Sequence, residues 1–106
     1  MFANTPNPPY YAVIFTSIRT EADTENYSQM AALMSELASE QAGFLGMESA
    51  REKIGITVSY WDNLESIRNW KLNAEHHGAR ELGREKWYSA FKTRICLVER
   101  DYDWEK

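Results

Sequence analysis

Tyr10-Tyr11-Ala12-Val13-Ile14-Phe15-Thr16-Ser17-Ile18-Arg19 is the stretch on which the fold turns. Its aromatic and β-branched residues predict a strand. Successive strand side chains point to opposite faces, so Ala12, Ile14 and Ile18 share one face and Tyr11, Val13 and Phe15 the other. A sheet with one wet face alternates apolar and polar residues, and this strand does not. The last apolar run repeats the pattern, with Ile95 and Leu97 opposed to Cys96 and Val98. Both faces of the sheet call for cover.

Working outward, Thr20 to Asp23 is a polar turn. From Thr24 the period changes, and Tyr27, Met30, Ala31, Met34, Leu37, Ala38 and Gln41 fall on one helical face. Asp23 or Thr24 suits the start of that helix and Gly43 its end. Phe44 to Arg51 and Ile54 to Trp61 predict two strands joined at Glu52-Lys53. Asp62 followed by Glu65 resembles a capping box, and Leu64, Ile67, Trp70 and Lys71 continue as a helix. Asn73 predicts a second cap, opening a further helical stretch from Ala74 to about Lys86. Trp87-Tyr88 leads into a last strand, about Phe91 to Tyr102. Residues 1–9 hold all three prolines and read as a flexible N-terminal arm; residues 10–106 read as one domain. The order βαββαβ predicts an α+β, ferredoxin-like fold, a four-stranded antiparallel sheet with its helices on one face. The second apolar face predicts a homodimer, each sheet covered by the other copy.

A chain of 106 residues fits a single domain. It should bury roughly two-thirds of its unfolded surface, enough for a core without staples. Cys96 is the one cysteine and has no internal disulfide partner. The net charge is −4. The densest basic stretch, Arg80 to Lys86, is interleaved with Glu81 and Glu85 and reads as a solvated helix face, so no nucleic-acid partner is expected. No apolar stretch approaches the ~18 residues of a membrane span. The N-terminus lacks a charged start followed by an apolar run. No membrane partner is expected, and the expected location is cytoplasmic. Phosphate-loop, zinc-protease, dithiol and serine-elbow motifs are absent. Cys96 with the adjacent His76 and His77 supplies too few ligands for a zinc site.

Gly43-Phe44-Leu45-Gly46-Met47-Glu48-Ser49, Gly55-Ile56-Thr57-Val58-Ser59-Tyr60-Trp61, Ile67-Arg68-Asn69-Trp70-Lys71, Glu75-His76, Trp87-Tyr88 and Val98-Glu99-Arg100-Asp101-Tyr102 carry a resemblance. From about Tyr10 to Trp104 the chain resembles the antibiotic biosynthesis monooxygenase (ABM) family of dimeric α+β barrel proteins. Some members oxidise polyketide phenols without a cofactor; others degrade haem or handle small quinones. The resemblance implies a pocket between the sheet and the helices of each subunit. It is lined by the second-helix tryptophan, here Trp70, and by a polar residue shortly after, here His76 or His77. Haem-degrading members use a first-strand Asn, a helix Trp and a His. Here the first strand has no Asn, Ser17 stands roughly in its place, and Arg80 stands near the place of the His. The function implied is a monooxygenase-like oxidation of a small aromatic or quinoid substrate without a cofactor. The alternative is a dimeric module that binds haem or another small apolar ligand without catalysis.

Such an oxygenase needs an apolar pocket, a base to deprotonate a phenol or enol, and room for oxygen. A histidine, with an unperturbed pKa near ~6.5, suits the base. His76 is the first candidate, against a capping or surface role three residues after Asn73; His77 is the second. Trp70 reads equally as pocket wall and as plain core. Ser17, Thr57 and Ser59 could orient a substrate or simply bond across strands. Met30 and Met34 read as core filler. Trp61, Trp87 and Trp104 read as packing residues, with Trp104 anchoring the tail on the partner copy.

Overall fold

The computed structural model describes residues 2–78 and 86–106. In chain order the elements are β1 (Tyr10–Arg19), α1 (Thr24–Ser39), β2 (Phe44–Arg51), β3 (Gly55–Trp61), α2 (Leu64–His76) and β4 (Tyr88–Val98). The strands form one antiparallel sheet in the order β2-β3-β1-β4. This is the ferredoxin-like α+β arrangement expected from the sequence. Among the described residues, no helix is long and apolar enough to cross a membrane.

Several local expectations are corrected. Asn73 does not open a second helix; α2 runs through it to His76, and the Asn73 carbonyl accepts from the His77 amide at 3.3 Å. Asn63 already caps the helix that contains Asn73, and inside a formed helix the preference of asparagine for caps is only a weak bias. The helical stretch expected beyond it falls, from 79 to 85, outside the described residues, as does Arg80. α2 starts one residue later than Asp62 suggests: Asn63 is the cap, its side-chain oxygen accepting from the Ser66 amide at 2.8 Å. Asp62 instead accepts from the Ser66 hydroxyl at 3.2 Å. Asp23 holds the cap position of α1 with φ 57°, but its side chain makes no capping bond. It accepts from Asn26 at 2.8 Å and from the Trp87 indole at 3.4 Å. α1 closes at Glu40, and Gly43 lies beyond it in the turn to β2. Gly43 has φ 86°, and a Cβ there would collide with the Asp62 carboxylate and the Ser66 side chain. That turn is therefore fixed against the start of α2. The last strand begins earlier than expected and ends at Val98.

Register assigns the side chains. Val13 lies opposite Ser59 and Ile95, Phe15 opposite Thr57 and Thr93, and Ser17 opposite Gly55 and Phe91. These share the face toward the helices. Tyr10, Ala12, Ile14, Tyr60 and Glu48 point to the outer face. The chain's own ends cover one end of that face. The Ala3 amide donates to Glu48 Oε2 at 2.8 Å, and the Tyr60 hydroxyl donates to Glu48 Oε1 at 2.6 Å. The Tyr10 hydroxyl donates to Asp101 Oδ2 at 2.6 Å and accepts from the Thr5 hydroxyl at 3.1 Å. Tyr10 and Ala12 are buried beneath these contacts. The expectation that a second copy covers the outer face is thus narrowed. Ile18 and Ile56, toward the other end, stay 45% and 44% exposed.

Candidate active site

One end of the helix side is filled by a cluster of rings around Trp61. Trp61 is fully buried, stacked on Trp70 with ring centroids 6.2 Å apart and meeting Phe44 edge-on at 5.4 Å. Its indole N–H donates to Ser59 Oγ at 2.9 Å. A buried indole needs that acceptor. Ser59 is therefore a support for Trp61 as well as a wall residue. Trp87 is also buried, as expected of a packing residue, whereas Trp104 is exposed.

Past the tryptophan pair, the sheet presents Ser49, Thr57 and Ser59. Their short side chains do not reach the helices, and a cavity of about 920 Å³ lies between the layers. Val13 and Phe15 of β1 and Phe91 and Ile95 of β4 form its floor and edge. Tyr27, Met30, Ala31 and Met34 face it from α1, and Ile67, Trp70, Lys71, Ala74 and Glu75 from α2. Both sets follow the i, i+3, i+4, i+7 spacing of one helical face. The two methionines are thus cavity walls as well as filler, and their flexible thioethers suit an adaptable wall.

Of the sequence-derived site residues, Trp70 lines the cavity. Ser17 is buried beside it and accepts from Arg51 Nη2 at 2.5 Å. His76 and His77 are exposed, their rings 5.8 Å apart, and neither is among the cavity-lining residues. Helix phase explains this. His76 stands nine residues after the inward-facing Ile67, about half a turn out of phase at ~3.6 residues per turn. Its neighbour Glu75 is the titratable group that α2 does turn inward, along with Lys71. The same phase argument, applied to Ile67 and Trp70 in the sequence, would have singled out both.

Sequence reading also passed over Arg51, Tyr27 and Tyr88, which line the far end of the cavity. Tyr27 and Tyr88 meet edge-on at 5.8 Å, and the Tyr88 hydroxyl donates to that of Tyr27 at 3.4 Å. Burial pushes the Tyr88 hydroxyl well above the usual phenol range, and the bond to Tyr27 adds to the rise; Arg51 and Arg19 oppose it. Tyr88 therefore keeps its proton at neutral pH.

No protein-family model matches the chain. It is 49% identical over 100 residues to the uncharacterized protein YqjZ of Bacillus subtilis, covering 92% of this chain and 87% of that protein. Among solved structures, it is similar to SnoaB, a cofactor-independent oxygenase from Streptomyces nogalater. The TM-score is 0.72 and the identity 12%, over 89% of this chain and 97% of that one. It is also similar to a candidate antibiotic biosynthesis monooxygenase from Chloroflexus aurantiacus. There the TM-score is 0.64 and the identity 18%, over 89% and 97%. A third similar structure is protein SO0527 from Shewanella oneidensis, at TM-score 0.73 and 13% identity over 90% and 96%. Identities this low speak to the fold.

Proposed function

Given that the chain belongs to the family of YqjZ and has the fold of antibiotic biosynthesis monooxygenases, we propose that it oxidises a small aromatic or quinoid substrate in the cavity between sheet and helices, without a cofactor. The observation that carries this reading is the cavity itself. It has the volume of a small-molecule site, mostly apolar walls and a few convergent polar groups. Deprotonation of a phenol or enol there gives an electron-rich anion that reduces dioxygen directly. One oxygen atom becomes a carbonyl on the substrate, and the other leaves as water with two substrate hydrogens, one from the ring carbon and one from the hydroxyl of a phenol, or both from a methylene carbon of an enolisable ketone. Trp70, backed by Trp61, offers a flat wall for an aromatic ring.

Two neighbours compete for the base. His76 is the sequence-derived choice, and Glu75 is the group that lines the cavity. Oxygen uptake with dihydroxynaphthalenes decides between them. Glu75→Gln should abolish turnover, whereas His76→Ala should leave it near wild type; the reverse result assigns His76. No uptake with any such phenol, together with tight binding of haem or of the phenols, would favour the ligand-binding alternative.

The second part of the proposal is a homodimer through the outer face of the sheet, leaving the helix-side cavity in each copy. Ile18 and Ile56, apolar and partly exposed on that face, support it. Tyr102 and Trp104, 83% and 80% exposed, suit the expected anchoring of the tail on the partner copy.

A further inference from the structure

At the end of the cavity away from Trp61, register sets four residues in a row across the sheet: Arg51 on β2, Gly55 on β3, Ser17 on β1 and Phe91 on β4. Gly55 carries no side chain, and the Arg51 guanidinium lies across it. A Cβ at this position would collide with Arg51 Cζ and Nη2. Arg51 thereby passes over one strand to reach the next, donating to Ser17 Oγ at 2.5 Å and to the Ser17 carbonyl at 3.4 Å. Glycine inside a strand weakens the strand and commonly marks a close approach. Here what approaches is a cation.

Ser17 holds this guanidinium without neutralising it, and among the described residues no carboxylate pairs with Arg51. Arg51 lines the cavity, and its guanidinium keeps N–H donors beyond those spent on Ser17. Tyr27 and Tyr88 line the same cavity, with their hydroxyls 3.4 Å apart. The two hydroxyls share one hydrogen bond, so one proton of the pair is left for an incoming acceptor. Arg19 fixes this arrangement from behind, its guanidinium 3.7 Å from the centre of the Tyr27 ring and bonded to the Trp87 carbonyl at 2.8 Å. A planar fork of donors with a hydroxyl beside it matches a carboxylate. Phe15, Tyr88 and Phe91, with centroids 5.5–5.9 Å apart, supply ring faces next to it.

We propose that the Arg51 end of the cavity is a carboxylate-binding subsite and that the substrate is an aromatic acid, its anionic group on Arg51 and Tyr27 and its ring system reaching toward Trp70. This deepens the reading of the cavity as an aromatic-substrate site and rests on it.

The test is a tryptophan-fluorescence titration of the full chain with 2-naphthoate and with its neutral counterpart 2-naphthamide. The naphthoate should bind about ten-fold more tightly, as expected for charged hydrogen bonds, and the advantage should shrink as salt is raised. Arg51→Gln should erase the advantage, bringing the two affinities to within about two-fold of each other. Arg51→Lys should keep part of it, because charge remains without the fork. Ser17→Ala, which frees the guanidinium, should lower it. Equal affinities in the wild type, or an advantage unmoved by Arg51→Gln, overturn the subsite while leaving the aromatic site standing. If neither compound binds, both readings fall. Should Arg51→Gln not fold, the lysine variant and the salt series decide the matter.

Discussion

On the helix side of the sheet, Val13, Phe15, Thr57 and Ser59 look into a cavity of about 920 Å³. On the outer side, Tyr10 and Ala12 are buried under residues drawn from both ends of the chain. The same strands build both faces. What differs is the length of the side chains between the layers. Toward the helices, two large rings at Trp61 and Trp70 hold the layers apart at one end, and serines and a threonine leave the middle open. On the outer face, Tyr10 and Tyr60 meet edge-on at 5.8 Å, and their hydroxyls end on Asp101 and Glu48. An apolar strand face therefore calls for cover, and the facing side-chain volumes decide whether the space behind it is filled.

The largest break in this contrast is Trp61→Ala. It removes the buried ring that supports Trp70 and should cost ~3–5 kcal/mol in denaturant unfolding, collapsing the helix side first. A loss below about 1 kcal/mol would mean that the ring is not the prop of the cavity. Next comes the outer face. Ile18→Lys with Ile56→Lys should shift the proposed dimer to monomer in sedimentation, with monomer stability changed by no more than about 0.5 kcal/mol. Unchanged sedimentation would place the contact elsewhere.

A third prediction concerns pH. The Tyr60 hydroxyl is pushed up to about 12, first by burial and then by its bond to Glu48. A raised pKa contributes stability below the ordinary tyrosine range, and that contribution is lost as pH rises through the folded-state value. Alkaline melts should therefore fall between about pH 10 and 12, and Tyr60→Phe should flatten that limb. Glu48 is shifted the other way, held below the usual carboxylate range first by Tyr60 and then by the Ala3 amide. Its contribution is present above that range and lost as pH falls below it, so Glu48→Gln should flatten the acid limb. If both limbs keep their slopes in the variants, the outer network is not what the titration reads. The smallest effect is Asn63→Ala, which removes the cap of α2 and should cost ~1 kcal/mol in thermal unfolding. It tests whether the cavity wall depends on the start of its helix.

The order of elements was legible because each has a clear period: two-faced apolar strands, and helices with Met30 and Met34 or Ile67 and Trp70 on one side. Trp70 as a wall residue was legible for the same reason. The phase of α2 beyond Asn73 was not, because reading that asparagine as a cap reset the helix and turned attention to His76. Arg51 was invisible for a different cause. Its role depends on the register that sets Arg51, Gly55 and Ser17 in one row, and register is a property of paired strands that a single strand's sequence does not carry. The glycine at 55 was the available clue, since it breaks a β-branched run for which the strand itself offers no reason.

The clasp at Tyr10 has a mechanical meaning. β1 begins where β4 ends, with Tyr10 opposite Val98, and the Tyr10 hydroxyl is held by Thr5 on one side and Asp101 on the other. A pull on the two chain ends would load the Ala3–Glu48 bond and then that phenol. The β1–β4 ladder would then peel open pair by pair, like a zipper, under far less tension than a ladder sheared along its length.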